Sequence, residues 1–100
     1  MIVKKHKTKD GRLILAVCDS NLIGKKLIDD KKQLDISSDF YKGDEMSGDD
    51  IKKFLKFAYI INLVGENSVE FGIKEGIIKK ENVSKVGGVP HAECMVIRED

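Results

Sequence analysis

One hundred residues, 41% hydrophobic and 35% charged with a single proline, are enough for one domain with one core and too few for two. No run approaches the roughly 20 apolar residues of a membrane helix, and "MIVKKHKTKDGR" carries charge where a signal peptide has its apolar segment, so a soluble, cytoplasmic chain without a membrane partner is expected. The formal net charge of +1 conceals an excess of five positive charges in residues 1–32, which suits a polyanionic partner if folding gathers them on one face.

In chain order, "IVKKHK" and "RLILAVC" read as two strands of a hairpin turning at Asp10-Gly11, a pair suited to a tight primed turn. Leu13 to Cys18 is apolar without alternation, which predicts a central strand covered on both faces; the first strand mixes Ile2 and Val3 with lysines as an edge strand does. "DSNLIGKK" predicts one short helical turn capped by Asp19 or Ser20 and ended by Gly24. "KLIDDKKQLDIS" predicts a second hairpin, and "SDFYKGDEMSGDD" a polar loop anchored by Phe40 and Tyr41.

In "SGDDIKKFLKFAYII", Ile51, Phe54, Leu55, Ala58 and Tyr59 recur at helical spacing, and Ser47 with Asp50 has the form of a capping box. Lys52, Lys53 and Lys56 fall on the opposite, solvated face. A second helix is expected through "GENSVEFGIKEG", with Gly65 or Asn67 as N-cap and Gly76 as C-cap. "VSKV" and "AECMVI" predict short strands around the Gly-Gly-Val-Pro-His turn. The fold class is therefore α+β: a small mixed or antiparallel sheet of about five or six strands with two main helices packed on it, forming a single domain over 1–100.

Two junctions hold residue types beyond those of scaffolding. In "INLVGEN", Gly65 before a helix leaves backbone N–H groups free for an anion and Asn62 adds a side chain, while Glu66 and Glu70 already match the helix dipole and favour plain capping. In "GGVPHAEC", Gly87-Gly88 permits close backbone approach, and Pro90 stiffens the turn leading to His91, a candidate general base or ligand. His91 and Cys94 are two ligand types where zinc needs three or four, the others being His6 and Cys18 on the first hairpin, so no metal and no cofactor are expected. Two cysteines make no disulfide framework, and Cys94 in an apolar context is a poor nucleophile. No P-loop, G-x-S-x-G, H-E-x-x-H or paired-cysteine motif occurs. Sixteen of the eighteen basic residues are lysine, which does not favour base-specific readout. Residues 1–32 hold no Phe, Tyr or Trp, so no stacking platform is identified there.

"INLVGENSVEFGIKEGIIKKENVSKVGGVPHAE" resembles the C-terminal signature of a small archaeal family catalogued as domain of unknown function 424, whose members share an "NLVGE" segment, a short helix and a "GVPHA" turn. "GRLILAVCDS" is similar to the N-terminal strand of that family. The resemblance implies marked positions at Asn62, Gly65, Glu66, Gly88, Pro90 and His91, with Cys18 and Asp19 after the second strand. It also implies the label sometimes given to the family, predicted RNA-binding.

The leading expectation is a non-enzymatic domain that binds RNA or a ribonucleoprotein through Lys4, Lys5, Lys7, Lys9 and Arg12, with help from the 87–91 turn. A rival is a small-molecule-binding protein or enzyme with Asn62, Glu66 and His91 in one pocket, Glu66 and His91 as acid/base partners. A third reading is an accessory subunit that docks another protein.

Overall fold

The apolar run of β2 (Leu13–Cys18) has no solvated face because both of its faces are covered. This computed structural model describes residues 1–96. β2 pairs antiparallel with β1 (Ile2–Lys7) and parallel with β6 (Ala58–Val64) on its other side; the expected tight primed turn at Asp10-Gly11 is instead a five-residue connection, 8–12, in which Gly11 alone has positive φ and its N–H donates to Thr8 O at 3.0 Å. β6 in turn pairs antiparallel with β8 (Val89–Met95), which pairs with β7 (Ser84–Val86). The first strand is not the edge it was expected to be: a two-residue strand, β5 (Asp44–Glu45), from the expected polar loop pairs with Ile2 and Val3, so the six-stranded mixed sheet runs β5-β1-β2-β6-β8-β7. The expected second hairpin forms as a separate two-stranded sheet, β3 (Lys26–Ile28) with β4 (Gln33–Asp35).

The period-two alternation of the strands divides the core. Val3, Leu15, Val17, Ile61 and Leu63 face one side and pack with Ile51 of α1 (Gly48–Leu55) and Val69 of α2 (Glu66–Lys74). Ala16, Cys18 and Val64 face the other, covered by Leu22, Leu27, Ile36 and Tyr41 from the β3–β4 hairpin and its flanking turns. The second layer, a hairpin with short 3-10 turns at Ser20–Leu22 and Asp39–Tyr41, takes the place a helix often fills.

The helix predicted through Tyr59 stops at Leu55, and Ala58 and Tyr59 begin the central strand β6. Ala58 and Ile61 fit a helical stripe as well as a strand, so spacing alone does not separate the two. Pairing with β2 and β8 on both sides decides in favour of the strand, whose β-branched Ile60, Ile61 and Val64 suit it. The predicted caps are present: Ser47 Oγ accepts from the Asp50 N–H at 3.2 Å. Gly65 is the N-cap of α2, and α2 ends in a Schellman arrangement with Ile77 N–H on Gly72 O at 2.9 Å and Gly76 N–H on Ile73 O at 3.0 Å. No helix among the described residues is long and apolar enough to cross a membrane.

Candidate functional site

Because β2 and β6 are parallel, their carboxyl ends reach the same edge of the sheet, the usual place for a crevice in such a pairing. Asp19 follows β2 and Gly65 follows β6; the Asp19 N–H donates to Val64 O at 3.0 Å and the Gly65 N–H to Pro90 O at 2.8 Å. A hollow of about 260 Å3 forms there, and of the predicted residues Gly65, Glu66, Gly88 and Pro90 line it, joined by Asp19, Asn21 and Asn67. Asp19 is buried, and its carboxylate accepts the N–H groups of Asn67 at 3.0 Å and Ser68 at 2.8 Å, with the Ser68 hydroxyl at 2.7 Å. The anion-binding end of α2 is thus already occupied by a carboxylate of the chain itself, which is capping supplied from a distance of 48 positions in sequence.

Asn62 and His91 line a different hollow, of about 170 Å3, on the sheet face beneath the β3–β4 hairpin. There they meet Tyr41 and Glu93, Asn62 standing opposite Glu93 and Val64 opposite His91 across the β6–β8 ladder. The carboxylate that shares a hollow with His91 is therefore Glu93, whereas Glu66 lines the crevice at the carboxyl ends of the strands. Burial raises the Tyr41 phenol above its ordinary value, with Cys18 and Glu93 pushing the same way.

The basic residues divide by the same alternation. Lys5 and Lys7 project with Val3 toward the α-helical side, and Lys4 falls on the opposite side with His6, whose ring stacks on Phe40 at 4.4 Å and whose Nε2 contacts Phe40 O at 2.9 Å. Lys9 lies in the exposed β1–β2 turn. Lys5, Lys7 and Arg12 line a broad hollow of about 620 Å3 whose remaining walls include Phe54, Phe57 and Tyr59. The Lys5 ammonium sits 3.6 Å from the Phe54 ring centroid, and the Arg12 guanidinium 4.5 Å from that of Tyr59. Asp10 pairs with Arg12 at 3.1 Å, both side chains exposed. Phe57, just past the end of α1, is 63% exposed, and Lys56 stands 5.5 Å from its ring centroid.

Sequence reasoning missed this aromatic wall because it sought rings within the basic first third, whereas the rings arrive from α1, the turn after it and β6. One signal was readable: Phe57 lies outside the apolar stripe of α1, beside Lys56, where a ring gains nothing from the core.

The two cysteines lie on opposite faces of the sheet. Cys18 belongs to the hairpin-side core, and burial, reinforced by the Asp19 carboxylate, pushes its thiol up to about 12, which removes it as a nucleophile. Cys94 packs against the helix-side core and donates to Ile77 O at 3.0 Å; burial raises it too. Among the described residues no three His, Cys, Asp or Glu side chains gather closely enough to hold a metal ion.

Compared with known proteins, residues 6–97 match the model of a family described as "Protein of unknown function (DUF424)". Among solved structures, the chain is similar to an uncharacterized conserved protein from Methanopyrus kandleri, with 28% identity, a TM-score of 0.80, and coverage of 99% of this chain and 94% of that one. No curated protein matches.

Proposed function

The chain belongs to this family of proteins of unknown function, and on that premise we propose that it binds single-stranded RNA in the hollow between the β1–β2 hairpin and the end of α1. The observation that carries the reading is the meeting of Lys5, Lys7 and Arg12 with Phe54, Phe57 and Tyr59 on one concave surface. Cations that follow a backbone and rings that stack unpaired bases are the two components of sequence-tolerant single-strand recognition. The roles differ by ring. Phe54 and Tyr59 already carry a cation each, so they hold Lys5 and Arg12 in place; Phe57, with most of its surface in solvent, offers a face to a base. No ion pair to a described carboxylate engages Lys5, Lys7 or Lys9, so their charge is free for phosphate.

The test is fluorescence anisotropy of a labelled, unstructured RNA at several salt concentrations. Affinity should fall steeply with salt, and Lys5→Ala and Lys7→Ala should each flatten the log–log slope by about 0.7. Phe57→Ala should weaken binding about five- to a hundredfold, and a duplex of the same sequence should bind less well because its bases are not free to stack. No binding at about 50 mM salt, where phosphate contacts are strongest, overturns the proposal. So does binding that is indifferent to Phe57→Ala and to both lysine changes.

A further inference from the structure

The hollow under the β3–β4 hairpin is distinct from the RNA surface: it lies on the other face of the sheet and shares no lining residue with it. Its polar side chains are unusual for a region that packs so much of the second core layer. Tyr41 is only 6% exposed, yet its phenol makes no hydrogen bond to another described residue, and it is not sealed from solvent either. Asn62 and Glu93 face each other across the ladder; no hydrogen bond joins either side chain, or that of His91, to another described residue, and because no buried side-chain polar atom is left without a partner, these groups meet solvent. Leu34 and Val64 supply apolar walls. A set of convergent polar groups between apolar walls is what a small ligand site requires.

We propose that this hollow binds a planar group carrying adjacent N–H donors, such as the amidine edge of a guanine base or the guanidinium of arginine. A carboxylate accepts two parallel N–H bonds from such an edge, the role we assign to Glu93, which lines the hollow. The Asn62 amide beside it adds an acceptor and a donor, and the Tyr41 hydroxyl and the His91 ring complete the rim. At about 170 Å3 the space is smaller than the roughly 300 Å3 at which drug-sized pockets begin, so it admits one ring or one side-chain end. Because the two sites share no residue, this proposal stands whether or not RNA binds on the other face.

The experiment titrates 15N-labelled protein separately with guanosine and with N-methylguanidinium, following the side-chain amide signals of Asn62. Saturable movement with guanosine assigns a nucleobase ligand; movement with N-methylguanidinium alone assigns an arginine side chain. In either case Glu93→Gln, at an exposed position, should raise Kd about tenfold or more, since one partner of the charge-assisted pair is lost. Backbone signals that remain dispersed show that the variant folds. The proposal is overturned if the signals stay fixed at about 10 mM N-methylguanidinium and about 1 mM guanosine, where a site of about 1 mM Kd is roughly nine-tenths and half filled. Binding that Glu93→Gln leaves unchanged overturns it equally.

Discussion

A Cβ added at position 65 would stand 2.3 Å from Cγ of Asp19, and the backbone there holds φ at +107°, a region that is nearly glycine's alone. The glycine at this position thus serves two ends: it lets β6 turn into α2, and it lets the Asp19 carboxylate lie against the first turn of the helix. Gly88 is the natural comparison, with φ at +81° but open space around it. Gly88→Ala should cost about 1 kcal/mol of backbone strain, while Gly65→Ala should cost more, about 3 kcal/mol, because the clash with Asp19 is added. Urea unfolding of the two variants measures the difference, and equal losses would show that the Asp19 contact has little weight. The same scale explains why the local pattern offers Asp19, or Ser20, only as a cap for the short turn that follows β2, although the resemblance marks Asp19. Its side chain makes no bond to that turn and instead reaches α2, 48 positions away.

At the scale of elements, the hairpin layer is tied to the sheet by more than apolar contact. Asp29, in the β3–β4 turn, accepts the N–H groups of Lys31 at 3.0 Å, Lys32 at 2.9 Å and, from the β7–β8 turn, Gly87 at 3.1 Å. These backbone donors, Lys31 first, hold the Asp29 carboxyl below its ordinary value. A depressed folded pKa means that the stabilisation is present above about pH 4 and is lost as pH falls through the folded value. Amide exchange at Gly87 should accordingly lose protection in acid, relative to its intrinsic rate, before the amides of β2 and β6 do. Asp29→Ala should show the same loss at neutral pH. Protection at Gly87 that does not change with either would mean that packing of Leu27 and Ile36 alone holds the hairpin down.

For the molecule as a whole, the sheet's central pair β2–β6 is its most deeply buried part, and the surface proposed for RNA lies outside it. Ile61 on β6 has no exposed surface, so Ile61→Ala should cost about 2–5 kcal/mol and lower every unfolding probe together. Phe57→Ala, at an exposed position, should stay within about 0.5 kcal/mol, which keeps its effect on RNA separate from folding. Circular dichroism melts of both variants check this.

The sequence by itself determined the elements whose causes are local. These are the hairpin of β1 and β2, the doubly covered strand at Leu13–Cys18, the Ser47 cap, the Gly76 end of α2, and the α+β class that they add up to; the start of α2 stayed open between Gly65 and Asn67. Its family signature was legible too, since the segments "NLVGE" and "GVPHA" stand intact in the chain. Only the tertiary structure decided that Ala58–Val64 is a central strand, because its periodicity fits either element and pairing with β2 and β8 settles the matter. Only the tertiary structure also placed Glu66 and His91 in different hollows and set Asn62 opposite Glu93 and Val64 opposite His91, since strand register, which sets the facing side chains, depends on partners distant in sequence. The meeting of Lys5, Lys7 and Arg12 with rings from residues 54–59 has the same origin: a surface is a property of elements packed together, and neither segment alone contains it.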